Sequence, residues 1–135
     1  MKSNLLHIKQ EQFNNRHIHN KYYILLDATK IGSLVCKKKN NILILGHLYI
    51  YPEYQQQGYG KQTIEYILSH YKIKCIVGEI LYESKRFWNK CIKQYNGQKR
   101  KINYCDNCSN SFVIPKCKIS DDELYDLLEV AYWIN

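Results

Sequence analysis

The chain has 135 residues, of which 45% are hydrophobic, and a formal net charge of +8. That length suits one domain with enough apolar content to bury a core of its own. No run approaches the ~20 apolar residues of a membrane-spanning helix, and the opening MKSNLLHIKQEQFNNRHIHN lacks the unbroken apolar stretch of a signal peptide. A soluble, cytoplasmic protein without membrane association is therefore expected. In such a compartment the six cysteines (Cys36, Cys75, Cys91, Cys105, Cys108 and Cys117) are expected as reduced thiols, several of them in the core.

Taken in chain order, KYYILLDAT (21–29), IGSLVCKKK (31–39) and NILILGHLYIY (41–51) are short and rich in β-branched and aromatic residues, with turn-like TK and KNN between them. They predict a three-strand antiparallel meander. After PEYQQQGYGKQ (52–62), Ile64, Ile67, Leu68 and Tyr71 recur at helical spacing, which predicts a helix over 60–71 with one buried face. KCIVGEI (74–80) reads as a buried strand. ESKRFWNKCIKQYNG (83–97) sets Phe87, Trp88, Cys91, Ile92 and Tyr95 on one side of a helix that Gly97 stops.

KRKINYCDNCSNSFVIPKC (99–117) predicts a hairpin turning within CDNCSN, and Ser120 with Glu123 forms a capping box ahead of a Leu124, Leu127, Leu128, Ala131 stripe. The order predicts an α+β fold in a single domain over 1–135. Its mixed, mostly antiparallel sheet is flanked by helices, with a C-terminal amphipathic helix over 119–135.

PEYQQQGYGKQ lies where a strand ends at Pro52 and a helix begins near Gly60. The first N–H groups of a helix lack intrahelical partners and carry the positive end of the dipole, so an anion fits there. Gly58 and Gly60 allow crowded or left-handed backbone and Lys61 adds a cation; a flexible turn before a helix explains the same residues. Two familiar phosphate loops fail on spacing. A Walker A loop needs glycine where Gln55 stands and Ser or Thr where Gln62 stands, and a dinucleotide fingerprint needs a third glycine where Thr63 stands.

The run LYIYPEYQQQGYGK (48–61) resembles motif A of the GNAT superfamily of acyl-CoA-dependent N-acetyltransferases, whose signature is Arg or Gln, two residues, Gly, one residue, then Gly or Ala. Gln55, Gly58 and Gly60 fill those places. Ile50, Pro52 and Tyr54 match the strand end before the loop, and SKRFWNK resembles the family's next helix, so the likeness covers about residues 21–97. The resemblance implies a V-shaped opening between the fourth and fifth strands that takes acetyl-CoA. Its pyrophosphate would sit on the amides of Gln55, Gln56, Gln57, Gly58, Tyr59, Gly60 and Lys61. Its pantetheine arm would run along Leu48, Tyr49 and Ile50, whose edge N–H groups would polarise the thioester carbonyl.

Direct attack by a primary amine needs a base and an acid. The family's usual acid is a tyrosine at the place of Trp88, whose indole cannot serve; Tyr95, seven residues on, is the candidate in its stead, or else packs with its hydroxyl at the surface. The family's base carboxylate falls at Ile44. His47 on the same strand has a suitable unperturbed pKa, but alternation puts it on the face opposite 44, 46, 48 and 50. Glu53 is a further carboxylate near the cleft, or a solvated loop residue.

The short N-terminal segment implies an open acceptor site suited to a small-molecule amine, a protein amine or an aminoacyl-RNA conjugate, or one completed by a homodimer partner. All 20 basic residues precede position 120 with only seven of the 12 acids, a net +13 over 1–119, which would attract phosphates of a cofactor or of nucleic acid. The accompanying wealth of Asn, Ile and Tyr gives a second explanation, AT-rich coding. Cys105, Cys108 and Cys117 have the spacing of three zinc thiolates, or are ordinary free thiols. The resemblance thus leaves an active N-acetyltransferase and, as the alternative, an inactive CoA-binding or nucleic-acid-associated module of the same shape.

Overall fold

The computed structural model describes residues 6–10, 21–104 and 107–134, with the side chains of residues 10, 103–104, 107–109 and 131–134 left aside. Seven strands and three helices follow one another as β1 (Leu6–Gln10), β2 (Lys21–Leu26), β3 (Thr29–Lys39), β4 (Ile42–Ile50), α1 (Tyr59–His70), β5 (Cys75–Glu79), α2 (Lys85–Gln94), β6 (Gln98–Tyr104), β7 (Asn107–Ile114) and α3 (Asp121–Ile134). The strands form one sheet in the order β1-β2-β3-β4-β5-β7-β6. Every neighbouring pair is antiparallel except β4 with β5.

The predicted mixed sheet and helices are present, with boundaries moved by a few residues. The meander is β2-β3-β4; the helix expected over 83–97 occupies Lys85–Gln94 after a short 3-10 turn at Tyr82–Ser84. Strand β7 begins at Asn107, inside the stretch read as a turn. Strand β1 was not among the expected elements, although Leu6 and Ile8 alternate with His7 and Lys9; it pairs with β2 from Leu6↔Leu26 to Gln10↔Tyr22. Among the described residues no helix is long and apolar enough to cross a membrane.

Alternation along the strands feeds two cores, one on each face. Leu34, Cys36, Leu43, Leu45, Ile76 and Phe112 pack beneath α1 and α2, which contribute Ile64, Ile67, Trp88 and Cys91. Trp88 lies flat on Phe112, ring centroids 3.9 Å apart. On the other face Ile42, Ile44, Cys75, Val77 and Val113 meet Leu124, Leu127 and Leu128 of α3.

The entry to α3 is fixed from both sides. Ser120 Oγ accepts the N–H of Glu123 at 3.1 Å, one half of the predicted capping box, and the Ser120 carbonyl accepts that of Leu124 at 2.9 Å. Arg100 on β6 donates to the Ile119 carbonyl at 3.0 Å and pairs with the Asp121 carboxylate. Asp121, Asp122 and Glu123 place negative charge at the positive end of the helix dipole. Ser120→Ala is therefore expected to cost about 1 kcal/mol and Ser120→Asp to retain most of it, read as the Tm of the two variants against wild type.

Candidate active site

Strands β4 and β5 are paired from Ile42↔Cys75 to Leu45↔Gly78 and then part. Beyond that point β5 ends at Glu79 and the chain turns to β7, the Ile80 N–H donating to the Asn110 carbonyl at 2.8 Å. Strand β4 continues to Ile50 with β3 as its neighbour. The cause is local. Val35 opposes His47 while Cys36 opposes Leu45, so Gly46 is an extra residue in β4, a bulge that bends and twists the strand out of line.

The bulge also corrects the predicted face assignment. Residues 44, 46, 48 and 50 do not share a face, because Ile44 belongs to the α3 core while Leu48 packs against the α1–α2 core. His47 consequently lies on the same face as Ile44 and Tyr49, and it is exposed; its ring stands 6.0 Å from that of Tyr49, which in turn is 5.8 Å from that of Tyr51.

The open edge of β4 can be read from its hydrogen bonds. The Tyr51 N–H donates to the Ile31 carbonyl at 2.8 Å, so by antiparallel alternation Tyr49 and His47 also turn their polar groups to β3, and Leu48 and Ile50 turn theirs to the parting. Of these groups the Ile50 carbonyl is taken, accepting the Gln55 side-chain amide at 2.7 Å. The edge is left with the N–H groups of Leu48 and Ile50 and the carbonyl of Leu48.

The loop after β4 carries a second set of donors. A 3-10 turn at Pro52–Tyr54 is closed by Tyr54 N–H to Tyr51 and Gln55 N–H to Pro52, and the Gln57 amide reaches back to the Glu53 carbonyl at 3.1 Å. Glu53 itself is exposed. Two residues then take left-handed backbone, Gln56 at φ 61° and Gly58 at φ 86°. The first bond of α1 runs from the Gln62 N–H to the Gly58 carbonyl at 3.0 Å. Among the described residues, the N–H groups of Gln56, Gln57, Gly58, Tyr59, Gly60 and Lys61 therefore donate to no backbone carbonyl. That is a donor set suited to a phosphate group.

The two glycines do different work. A Cβ on Gly58 would meet nothing within 4 Å, whereas one on Gly60 would stand 2.8 Å from Cε1 of Phe87. Gly58 supplies the left-handed turn, and Gly60 lets α2 approach the first turn of α1.

Tyr95 closes that same helix contact. Its hydroxyl donates to the Glu65 carboxylate at 2.8 Å and lies 3.4 Å from the Lys61 carbonyl. Burial, then the bond to Glu65, raises its pKa, so the phenol keeps its proton. Trp88, at the place of the expected acid, and Ile44, at that of the expected base, are both core residues.

One residue was missed by the sequence reading. Glu79 is the last residue of β5, and alternation from Val77 puts it on the α3 face, the face of His47, where the two strands part. The period-two pattern of KCIVGEI held that signal, but the strand it should be compared with is shifted by the bulge. Cys105 lies outside the described residues, as does the side chain of Cys108; Cys117 is placed against Cys75, and among the described residues no cluster of three metal-ligating side chains occurs.

The sequence model described as the Acetyltransferase (GNAT) family matches residues 3–91. The chain belongs to this family. Among solved structures, a GNAT-family acetyltransferase from Bacteroides thetaiotaomicron superposes with a TM-score of 0.64 at 17% identity, covering 90% of this chain and 73% of the other. A GNAT acetyltransferase from Elizabethkingia anophelis, solved with acetyl-CoA bound, gives 0.57 at 12% identity over 83% of this chain and 96% of its own. N-acetylglutamate synthase from Neisseria gonorrhoeae, complexed with coenzyme A and N-acetyl-glutamate, gives 0.58 at 13% identity over 84% of this chain and 35% of its own. No curated protein matches the sequence.

The Tyr95–Glu65 bond of this GNAT protein has a titration signature. A phenol whose pKa is raised by folding contributes its full stability below the unfolded value near 10 and loses it as pH climbs toward the folded value. Wild type should exceed Tyr95→Phe in unfolding free energy by about 1 kcal/mol at neutral pH, and the gap should shrink above about pH 10. Paired denaturant titrations from pH 7 upward check this; a gap that widens with pH overturns it.

Proposed function

We propose that this GNAT protein transfers an acetyl group from acetyl-CoA to a primary amine. The observation that carries the reading is the juxtaposition of two unpaired donor sets, the Leu48 and Ile50 N–H groups on the open edge of β4 and the Gln56–Lys61 N–H groups that follow it. The loop amides and the Lys61 ammonium would hold the pyrophosphate, and the β4 edge would hold the pantetheine arm. When bound, acetyl-CoA supplies an acyl group activated as a thioester. Gln55 shapes this seat through its bond to the Ile50 carbonyl, and Gln57 shapes it through its bond to the Glu53 carbonyl.

The acceptor would approach on the face that carries His47 and Glu79. There the imidazole of His47 or the carboxylate of Glu79 takes a proton from the ammonium form of the acceptor, and the exposed rings of Tyr49 and His47 form a floor beside it. Tyr95 is a positioning residue in this account, because its hydroxyl is bound to Glu65 on α1. A cytoplasmic location fits an acetyl-CoA-dependent enzyme. The second reading, a CoA-liganded module without turnover, is favoured by one observation, the burial of Trp88 at the place of the family's acid.

Calorimetry with acetyl-CoA and a turnover assay on a panel of small and peptidyl amines separate the two. Gly58→Asp puts a carboxylate among the loop donors in a conformation that Asp tolerates, and should weaken acetyl-CoA binding at least ~10-fold relative to Gly58→Asn. Glu79→Gln and His47→Ala should leave that binding unchanged while one or both lower kcat about 100-fold. Binding by wild type without turnover on any amine would establish the module, and equal affinity of Gly58→Asp and Gly58→Asn would remove the loop from the site.

A further inference from the structure

Cys75 and Cys117 are separated by 42 positions in sequence, yet their Sγ atoms stand 3.1 Å apart. Cys75 opens β5 and is completely buried; Cys117 lies in the segment between β7 and α3 and is half-buried. The contact is held from outside. One residue before Cys117, the Lys116 N–H donates to the Asn96 carbonyl at 2.7 Å, and two residues after it the Ile119 carbonyl accepts Arg100 at 3.0 Å. The other two described free cysteines, Cys36 and Cys91, are buried in the core on the opposite face of the sheet.

A sulfur–sulfur distance inside van der Waals contact, with the Cys117 segment anchored on both flanks, needs only a short further approach to reach the ~2.0 Å of a covalent bond. We propose that Cys75 and Cys117 are a thiol modification site, a dithiol that a low-molecular-weight disulfide converts to an intramolecular disulfide. The accessible Cys117 acts first: its thiolate attacks one sulfur of the small disulfide, forming a mixed disulfide and releasing one small thiol. Cys75 then gives up its proton and attacks Sγ of Cys117, which forms the Cys75–Cys117 bond and releases the second small thiol carrying that proton. Two protein thiols are oxidised and one small disulfide is reduced to two thiols. Burial, then the contact with Cys117, holds the Cys75 proton, which Glu123 reinforces and Lys74 opposes, so Cys75 is the resolving thiol and not the entering one.

The bond would join the first residue of β5 to the segment that leads into α3. Cys75 pairs with Ile42, at the end of the β4–β5 ladder away from Gly78, so the link would brace α3 against the sheet without reaching the parting of the strands. The oxidised protein should melt about 10 °C higher than the reduced one and bind acetyl-CoA with unchanged affinity.

The test incubates the full chain with glutathione disulfide and reads intact mass and a non-reducing peptide map. Wild type should lose two hydrogens and yield a peptide linking Cys75 to Cys117. Cys75→Ser should instead trap one glutathione on Cys117, and the half-buried substitution Cys117→Ser should abolish both products. A stable glutathione adduct on wild-type Cys117 without the link overturns the proposal. So does a Cys117 bond to Cys105 or Cys108, or a pair that stays reduced while other cysteines oxidise.

Discussion

Gly46 gives β4 one residue more than β3 can oppose, and the position of the candidate site follows from that mismatch. A regular strand would have kept β4 beside β5 to the end of both and would have used its N–H groups in the ladder. With the bulge in place, four residue pairs hold the two strands together and the remainder of β4 has one neighbour instead of two. Leu48 and Ile50 thereby keep donors that the sheet does not consume. The same extra residue exchanges the faces of everything after it, which brings His47 to the face of Glu79.

The helices hold the second donor set where the first one ends. Helix α1 follows β4 after a turn whose glutamines fold back on the carbonyls of Ile50 and Glu53, so the loop is tied to the strand it leaves. Helix α2 then packs on the first turn of α1 through the space left by Gly60, and Tyr95 fastens the far end of that contact to Glu65. Apolar burial on this face is thus coupled to the orientation of a helix N-terminus whose N–H groups have no internal partners. Trp88 shows the cost of that arrangement for chemistry. Stacked on Phe112 in the core, it supports α2 and contributes no acid.

The opposite face is divided between α3 and an exposed aromatic row. Leu124, Leu127 and Leu128 cover Ile42, Ile44 and Val77 at one end, and the Arg100–Asp121 pair with the Ser120 cap sets where the helix begins. Past the bulge, His47 and Tyr49 are exposed on that face, and Tyr51 follows half-buried just after the strand. The face therefore has a packed half that carries the Cys75–Cys117 pair and an accessible half that carries His47 and Tyr49.

What the residues by themselves determined, β1 excepted, was the set of elements whose stability is local or periodic. The β2-β3-β4 meander, the buried stripes Ile64–Ile67 and Trp88–Cys91, the Ser120 cap and the left-handed glycine at 58 were legible, because each depends on side-chain period or on turn chemistry within a few positions. The donor loop was legible for the same reason. Only the tertiary structure decided the rest. Which face His47 occupies depends on a register shift against β3, the position of Glu79 at the parting depends on where the β4–β5 ladder stops, and the service of Gly60 to Phe87 depends on how two helices cross. The contact of Cys75 with Cys117 joins strand to coil across 42 positions. These are relations between segments, set by packing that no single window of sequence contains.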